Sequence, residues 1–117
     1  MTNPIQIEAS PVFKKNIRTL AKKYRNIRQD IQPIINQLEQ GELLGDQISG
    51  IGYPAFKLRV KNSDIQKGKS GGYRLIYYLK TLTGIVLLTI YPKSEQSDIE
   101  ADEIRDIITE YQQSRYE

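Results

Sequence analysis

Between Phe13 and Leu38 the apolar residues recur at three- and four-residue spacing, and from Phe56 to Val60 they recur at every second residue. That change of period limits the fold more than any other feature of the chain. A helix gathers residues three and four apart onto one face, whereas a strand gathers alternate residues. Helical segments grouped ahead of strand segments argue for an α+β arrangement with a mostly antiparallel sheet, because a doubly wound parallel sheet needs the two kinds of element to alternate.

In chain order, Ile5, Ile7 and Ala9 alternate with polar residues, as in a short opening strand. Ser10-Pro11 supplies a helix N-cap followed by proline at the first helical position, where its missing N–H costs nothing. Phe13, Ile17, Leu20, Ala21 and Tyr24 form one helical stripe, with Lys14, Lys15, Arg18, Lys22 and Lys23 on the other face. After a break at Asn26, a second stripe of Ile27, Ile31, Ile34, Ile35 and Leu38 runs to a stop at Gly41. Pro33 leaves two alternatives. It sits in the first turn of a helix capped by Asp30, or it kinks a helix that starts near Ile27. The short connection between the stripes favours an antiparallel helical hairpin.

Gly41, Gly45, Gly50, Gly52 and Pro54 mark residues 41–54 as an irregular loop. Phe56, Leu58 and Val60 then alternate with Lys57, Arg59 and Lys61, a half-buried strand whose open face is basic. Residues 62–72 form a polar connection, long for a hairpin. Tyr73–Lys80 is a second strand and Ile85–Tyr91 a third, apolar enough to require cover on both faces, with Pro92 ending it. Ser97 and Glu100 have capping-box spacing ahead of a last helix carrying Ile104, Ile107, Ile108 and Tyr111. The expected order is therefore β-α-α-β-β-β-α, with a helical hairpin and a C-terminal helix packed on a small, mostly antiparallel sheet. Residues 1–117 are expected to form one domain, long enough for a single core and too short for two.

The chain contains neither cysteine nor histidine. Disulfides, thiolate catalysis and cysteine-ligated zinc are excluded, and the usual general base near neutral pH and the commonest metal ligand are missing. Acid–base chemistry falls to lysine, tyrosine and carboxylates. The carboxylates between residues 98 and 106 follow the preference of helix starts for negative charge, so no metal and no cofactor is expected. No apolar run approaches the roughly 20 residues of a membrane span, and the N-terminus lacks a secretory pattern. The cytoplasm is the expected compartment, with no membrane association.

Residues 1–94 carry 15 Lys and Arg against 6 Asp and Glu, while residues 95–117 carry 2 against 8. A basic body points to a polyanionic partner. On the strand, Lys57, Arg59 and Lys61 leave one face at steps of about 7 Å, close to the spacing of successive phosphates. Lys67 and Lys69 add charge from the connection, Arg74 opens the next strand, and Lys93 follows the third. Exposed lysines on a sheet also discourage edge aggregation, but an ordinary solvated face mixes signs. From residue 56 to 74, six basic residues meet only Asp64. Of the 8 tyrosines, Tyr73, Tyr77 and Tyr78 read as packing residues. Tyr91, at a strand end near Lys93, is the candidate to stack on a base or donate a proton. Gly68-Lys69-Ser70 does not complete a phosphate-binding loop, because the glycine needed five residues upstream is Ser63 and no helix follows.

Three segments together carry a family likeness: Phe56-Lys57-Leu58-Arg59-Val60; Gly68-Lys69-Ser70-Gly71-Gly72-Tyr73-Arg74-Leu75-Ile76-Tyr77-Tyr78; and Leu87-Leu88-Thr89-Ile90-Tyr91-Pro92-Lys93-Ser94-Glu95 followed by Ser97-Asp98-Ile99. The chain resembles toxins of the RelE/ParE superfamily, in particular the HigB-like branch. The resemblance implies two helices on a small antiparallel sheet and a toxin of a type II toxin–antitoxin pair. It also implies a metal-independent endoribonuclease that cuts mRNA in the ribosomal A site by attack of the 2′-hydroxyl, partnered by a cognate helix-turn-helix antitoxin. By the same resemblance Arg74 clamps the scissile phosphate, and Lys57 and Arg59 match the basic pair on the preceding strand. Lys93 falls near the family's second catalytic basic position, which is Lys93 or Ser94 here depending on a one-residue gap. One of the lysines, with its pKa lowered by cationic neighbours, serves as general base, while Lys61, Lys67 and Lys69 hold RNA. The tyrosine that RelE itself uses after the last strand falls at about Glu100, so that role is vacant or passes to Tyr91. Two other outcomes are compatible with the likeness: a ParE-like inhibitor of DNA gyrase, whose relatives lack the dense basic strand, and a degenerate member that only binds its antitoxin.

Overall fold

The computed structural model describes residues 4–65, 71–96 and 98–115. The elements are β1 (Gln6–Ala9), α1 (Pro11–Lys23), α2 (Ile27–Glu39), β2 (Asp46–Ile48), β3 (Ala55–Val60), β4 (Tyr73–Thr81), β5 (Gly84–Pro92) and α3 (Ala101–Ser114). The five strands form one sheet in the order β1-β5-β4-β3-β2. β1 runs parallel to β5, and every other pairing is antiparallel. The α+β class and the element order agree with expectation except for β2, which lies within the expected loop. Asp46-Gln47-Ile48 pairs with Ala55–Lys57 at the sheet edge. Three residues are too few to carry a period, so pairing alone makes this segment a strand.

Side chains along β4 point alternately to the two faces. Tyr73, Leu75 and Tyr77 pack with Phe13, Ile17, Leu20, Ile27 and Leu38 of α1 and α2, while Ile76 and Tyr78 pack with Ile104, Ile107, Ile108 and Tyr111 of α3. The helical hairpin and α3 therefore cover opposite faces. Leu75, Ile76, Leu88 and Ile108 are fully excluded from solvent, and burying side chains of this size is worth roughly 1.5–3 kcal/mol each.

The helix boundaries follow local chemistry. Ser10 caps α1, its Oγ accepting the Phe13 N–H at 3.0 Å, with Pro11 next. Pro33 lies inside a helix that begins at Ile27, not in the first turn of one capped by Asp30. Asp30 does not cap that helix. Its carboxylate accepts the Ser63 N–H at 2.9 Å and the Ser63 hydroxyl at 3.1 Å, tying α2 to the chain beyond β3. α2 ends in a Schellman turn, with Gly41 at φ +93°, the Gly41 N–H on Leu38 O at 3.0 Å and the Glu42 N–H on Gln37 O at 3.1 Å. The expected capping box is not what starts α3. The cap is Glu100, which makes no side-chain bond, and Ser97 lies outside the described residues.

One irregularity positions the site. β4 and β5 pair Ile76 with Thr89 but Tyr77 with Leu87, so Leu88 is an extra residue, a β-bulge. Strict alternation would place Tyr91 on the same face as Leu87. With the bulge, Leu87 and Ile90 face the helical hairpin while Leu88 and Tyr91 face α3. The backbone groups around the bulge find partners on α1 and its cap. The Ser10 hydroxyl donates to Leu88 O at 2.6 Å, and Asn16 Oδ1 accepts the Ile90 N–H at 3.1 Å and the Thr89 hydroxyl at 2.8 Å.

Candidate nucleic-acid interface

α3 packs over Ala55, Ile76, Tyr78, Val86 and Leu88. Toward the ends of β3 and β5 the same face carries cations. Arg59 lies directly across from Arg74, and Arg74 lies directly across from Tyr91, so the three form one row over three strands. Lys57 is on this face too, opposite Ile76. Lys61 follows β3 by one residue and Lys93 follows β5 by one. Antiparallel pairing brings both to the end where β4 begins, and the Lys93 N–H donates to Gly72 O at 2.9 Å. The topology thus gathers Lys57, Arg59, Lys61, Arg74, Tyr91 and Lys93 at one end of the sheet. Lys67 and Lys69 lie outside the described residues.

Gly72 is required where β4 enters. Its φ is +115°, and a Cβ there would lie 2.6 Å from Val60 O. Only glycine lets the chain turn this close to β3 and present Arg74 two residues later.

Arg59 is exposed and Arg74 half-buried. Arg74 Nε and the Tyr91 hydroxyl are buried, and neither has a hydrogen-bond partner among the described residues. A buried donor left unpaired costs about 1–3 kcal/mol. Arg74 as a whole is only half-buried, and the fork of its guanidinium suits a phosphate. Burial pushes the Tyr91 hydroxyl above the ordinary tyrosine value; the Asp98 and Glu103 charges add to that, and Arg74 opposes it. The phenol therefore keeps its proton across the neutral range.

Asp98 is the site residue that sequence reasoning missed, having been assigned to the acidic helix start. Its Oδ1 lies 3.4 Å from Lys57 Nζ and accepts the Ile99 N–H at 2.9 Å. The Ile99 N–H, with the Lys57 and Arg74 charges, holds this carboxyl below the usual aspartate range. Exposed pairs of this kind contribute about 0.2–1 kcal/mol or less. The only cue in the sequence was its place in the resembling segment Ser97-Asp98-Ile99. Glu100 is the N-cap of α3. Among the described residues no cluster of three or more Asp and Glu side chains could hold a metal ion.

Fold and site together define a small α+β protein in which helices cover both faces of a mixed sheet and cations gather at one open end. The E. coli toxin RelE, solved in the free state as a double arginine-to-alanine mutant, is similar in fold. The TM-score is 0.52 at 13% identity, covering 95% of this chain and 97% of that one. The sequence profile described as the RelE toxin of the RelE/RelB toxin–antitoxin system matches residues 11–114. The chain belongs to the RelE toxin family.

Proposed function

We propose that the chain is a ribosome-dependent endoribonuclease that inhibits translation by cutting mRNA in the A site. The reading is supported above all by the Arg59–Arg74–Tyr91 row across β3, β4 and β5, with Lys57 on the same face. In the reaction the 2′-oxygen attacks the adjacent phosphorus, the P–O5′ bond breaks, and the products are a 2′,3′-cyclic phosphate and a 5′-hydroxyl. Arg74 grips the non-bridging oxygens, and Arg59 and Lys57 neutralise the charge that builds on the phosphorane. Tyr91 is the proton donor to the leaving O5′, a role suited to a phenol that stays protonated. The 2′-hydroxyl proton passes to a general base among the lysines of the cluster. Lys93 adds a further cation to the catalytic group, and Lys61, Lys67 and Lys69 hold the flanking phosphates. The rate comes from positioning and from cations aimed at the developing charge, which a chain without histidine can supply.

Residues 1–117 form one domain working in the cytoplasm. Its partner is an antitoxin, of RelB type by the family's description and a small helix-turn-helix protein by the HigB-like resemblance. Induction in a bacterium is expected to arrest growth and produce mRNA breaks phased with codons, and Arg74→Ala should abolish both. Arrest with intact mRNA would remove this reading, and inhibition of gyrase supercoiling would put the ParE-like one in its place. Undisturbed growth with an antitoxin still co-purifying would mark a degenerate member.

A further inference from the structure

Asp98 stands against the cationic row without an evident part in binding RNA. An anion beside a phosphate-binding surface weakens that binding by like-charge repulsion, and an exposed ion pair adds little to folding. Yet the carboxylate is held in place. Its Oδ1 accepts the Ile99 N–H at 2.9 Å, Gln96 Nε2 donates to its main-chain oxygen at 2.9 Å, and Lys57 Nζ approaches Oδ1 at 3.4 Å. The Lys57 side chain is 30% exposed and that of Asp98 66% exposed.

We propose that Asp98 is a positioning residue for the cleavage reaction, anchoring the Lys57 ammonium on the Arg74–Tyr91 face so that it meets the scissile phosphate in one geometry. The proposal rests on the nuclease reading above. Arg59 and Arg74 need no such anchor, because a planar guanidinium engages phosphate through a rigid fork. A lysine ammonium is a point charge on a four-carbon stem with many rotamers. Ordering that stem before the substrate arrives removes the entropy loss from the reaction itself. The charges facing Asp98 are Lys57 from β3 and Arg74 from β4. Tyr91 from β5 is the nearby titratable hydroxyl, and Glu103 from α3 also bears on it. The arrangement trades some affinity for RNA against a fixed cation.

That trade makes the test specific. Asp98→Asn keeps an oxygen for the Ile99 N–H and removes only the charge, and Asp98→Glu restores the charge on a longer arm. On ribosomes carrying a defined mRNA, Asp98→Asn is expected to lower the single-turnover cleavage rate about tenfold. Its affinity for ribosomes carrying the same mRNA 2′-O-methylated at the cleavage position should rise severalfold, since one repelling charge is gone. Asp98→Glu should recover part of the rate, and in a Lys57→Ala background Asp98→Asn should slow cleavage no further. Unchanged cleavage by Asp98→Asn, loss of rate and affinity together, or an additive loss on top of Lys57→Ala would each overturn the proposal while leaving the nuclease reading intact. A wild-type chain that leaves ribosome-bound mRNA whole would overturn both.

Discussion

Arg59 and Arg74 stand directly opposite each other on antiparallel strands, and neither forms an ion pair among the described residues. Like charges in that position destabilise a sheet. Arg59→Thr, at an exposed strand position, is therefore expected to raise stability by roughly 0.2–1 kcal/mol while slowing mRNA cleavage. Urea unfolding and a cleavage assay on the same variant check both signs. A loss of stability would mean that the pair is compensated within the folded chain.

The bulge at Leu88 turns Tyr91 toward Arg74, and Asn16 secures it by accepting from Ile90 and Thr89. Asn16→Ala leaves both donors without that acceptor and is expected to cost about 1–3 kcal/mol. If the bulge orients Tyr91, cleavage should fall further than the fraction of unfolded protein explains. Denaturant midpoints read alongside single-turnover rates separate the two effects.

Gly72→Ala introduces a Cβ 2.6 Å from Val60 O at a φ of +115°. Backbone strain of this kind costs on the order of 1–3 kcal/mol, and the entry of β4 must shift to relieve it. A lowered melting temperature with loss of cleavage is expected. Gly50→Ala, also at positive φ but with open space around it, should cost less in the same melts and leave cleavage intact.

Glu8 meets Lys80 at 3.4 Å and also pairs with Arg115. Burial raises its pKa, but the Tyr111 hydroxyl, Lys80 and Arg115 together outweigh that and leave the carboxyl below its ordinary value. A carboxylate depressed in the folded state contributes stability that is complete above the unfolded pKa, about 4.3, and is lost as pH falls through the folded value. Wild type should thus be more stable than Glu8→Gln at pH 7, with the gap closing in acid. Urea midpoints between pH 3 and 7 test this, and a gap constant with pH would contradict it.

Much of the candidate site was legible before folding, for a simple reason. The alternation of Lys57, Arg59 and Lys61 with Phe56, Leu58 and Val60 contains both the strand and its charged face, and Arg74 follows a Gly-Gly pair whose second member the close approach to Val60 requires. Two features were hidden. β5 is so uniformly apolar that nothing in Ile85–Tyr91 marks where alternation slips, so the face on which Tyr91 emerges could not be read. Asp98 sits among acids that a helix start would attract anyway, and nothing local separates the one that reaches the sheet.

The amino-acid sequence by itself determined the helices, the main strands and the sign of the open face, because period and charge are properties of neighbouring residues. Tertiary structure decided the rest. Edge pairing made a strand of Asp46–Ile48, β1 lay parallel to β5, a one-residue slip set Tyr91 beside Arg74, and Asp98 came within 3.4 Å of Lys57. Each depends on contacts between segments distant in the chain, 41 residues apart for Lys57 and Asp98, and such contacts exist only once the two cores have closed on either side of the sheet.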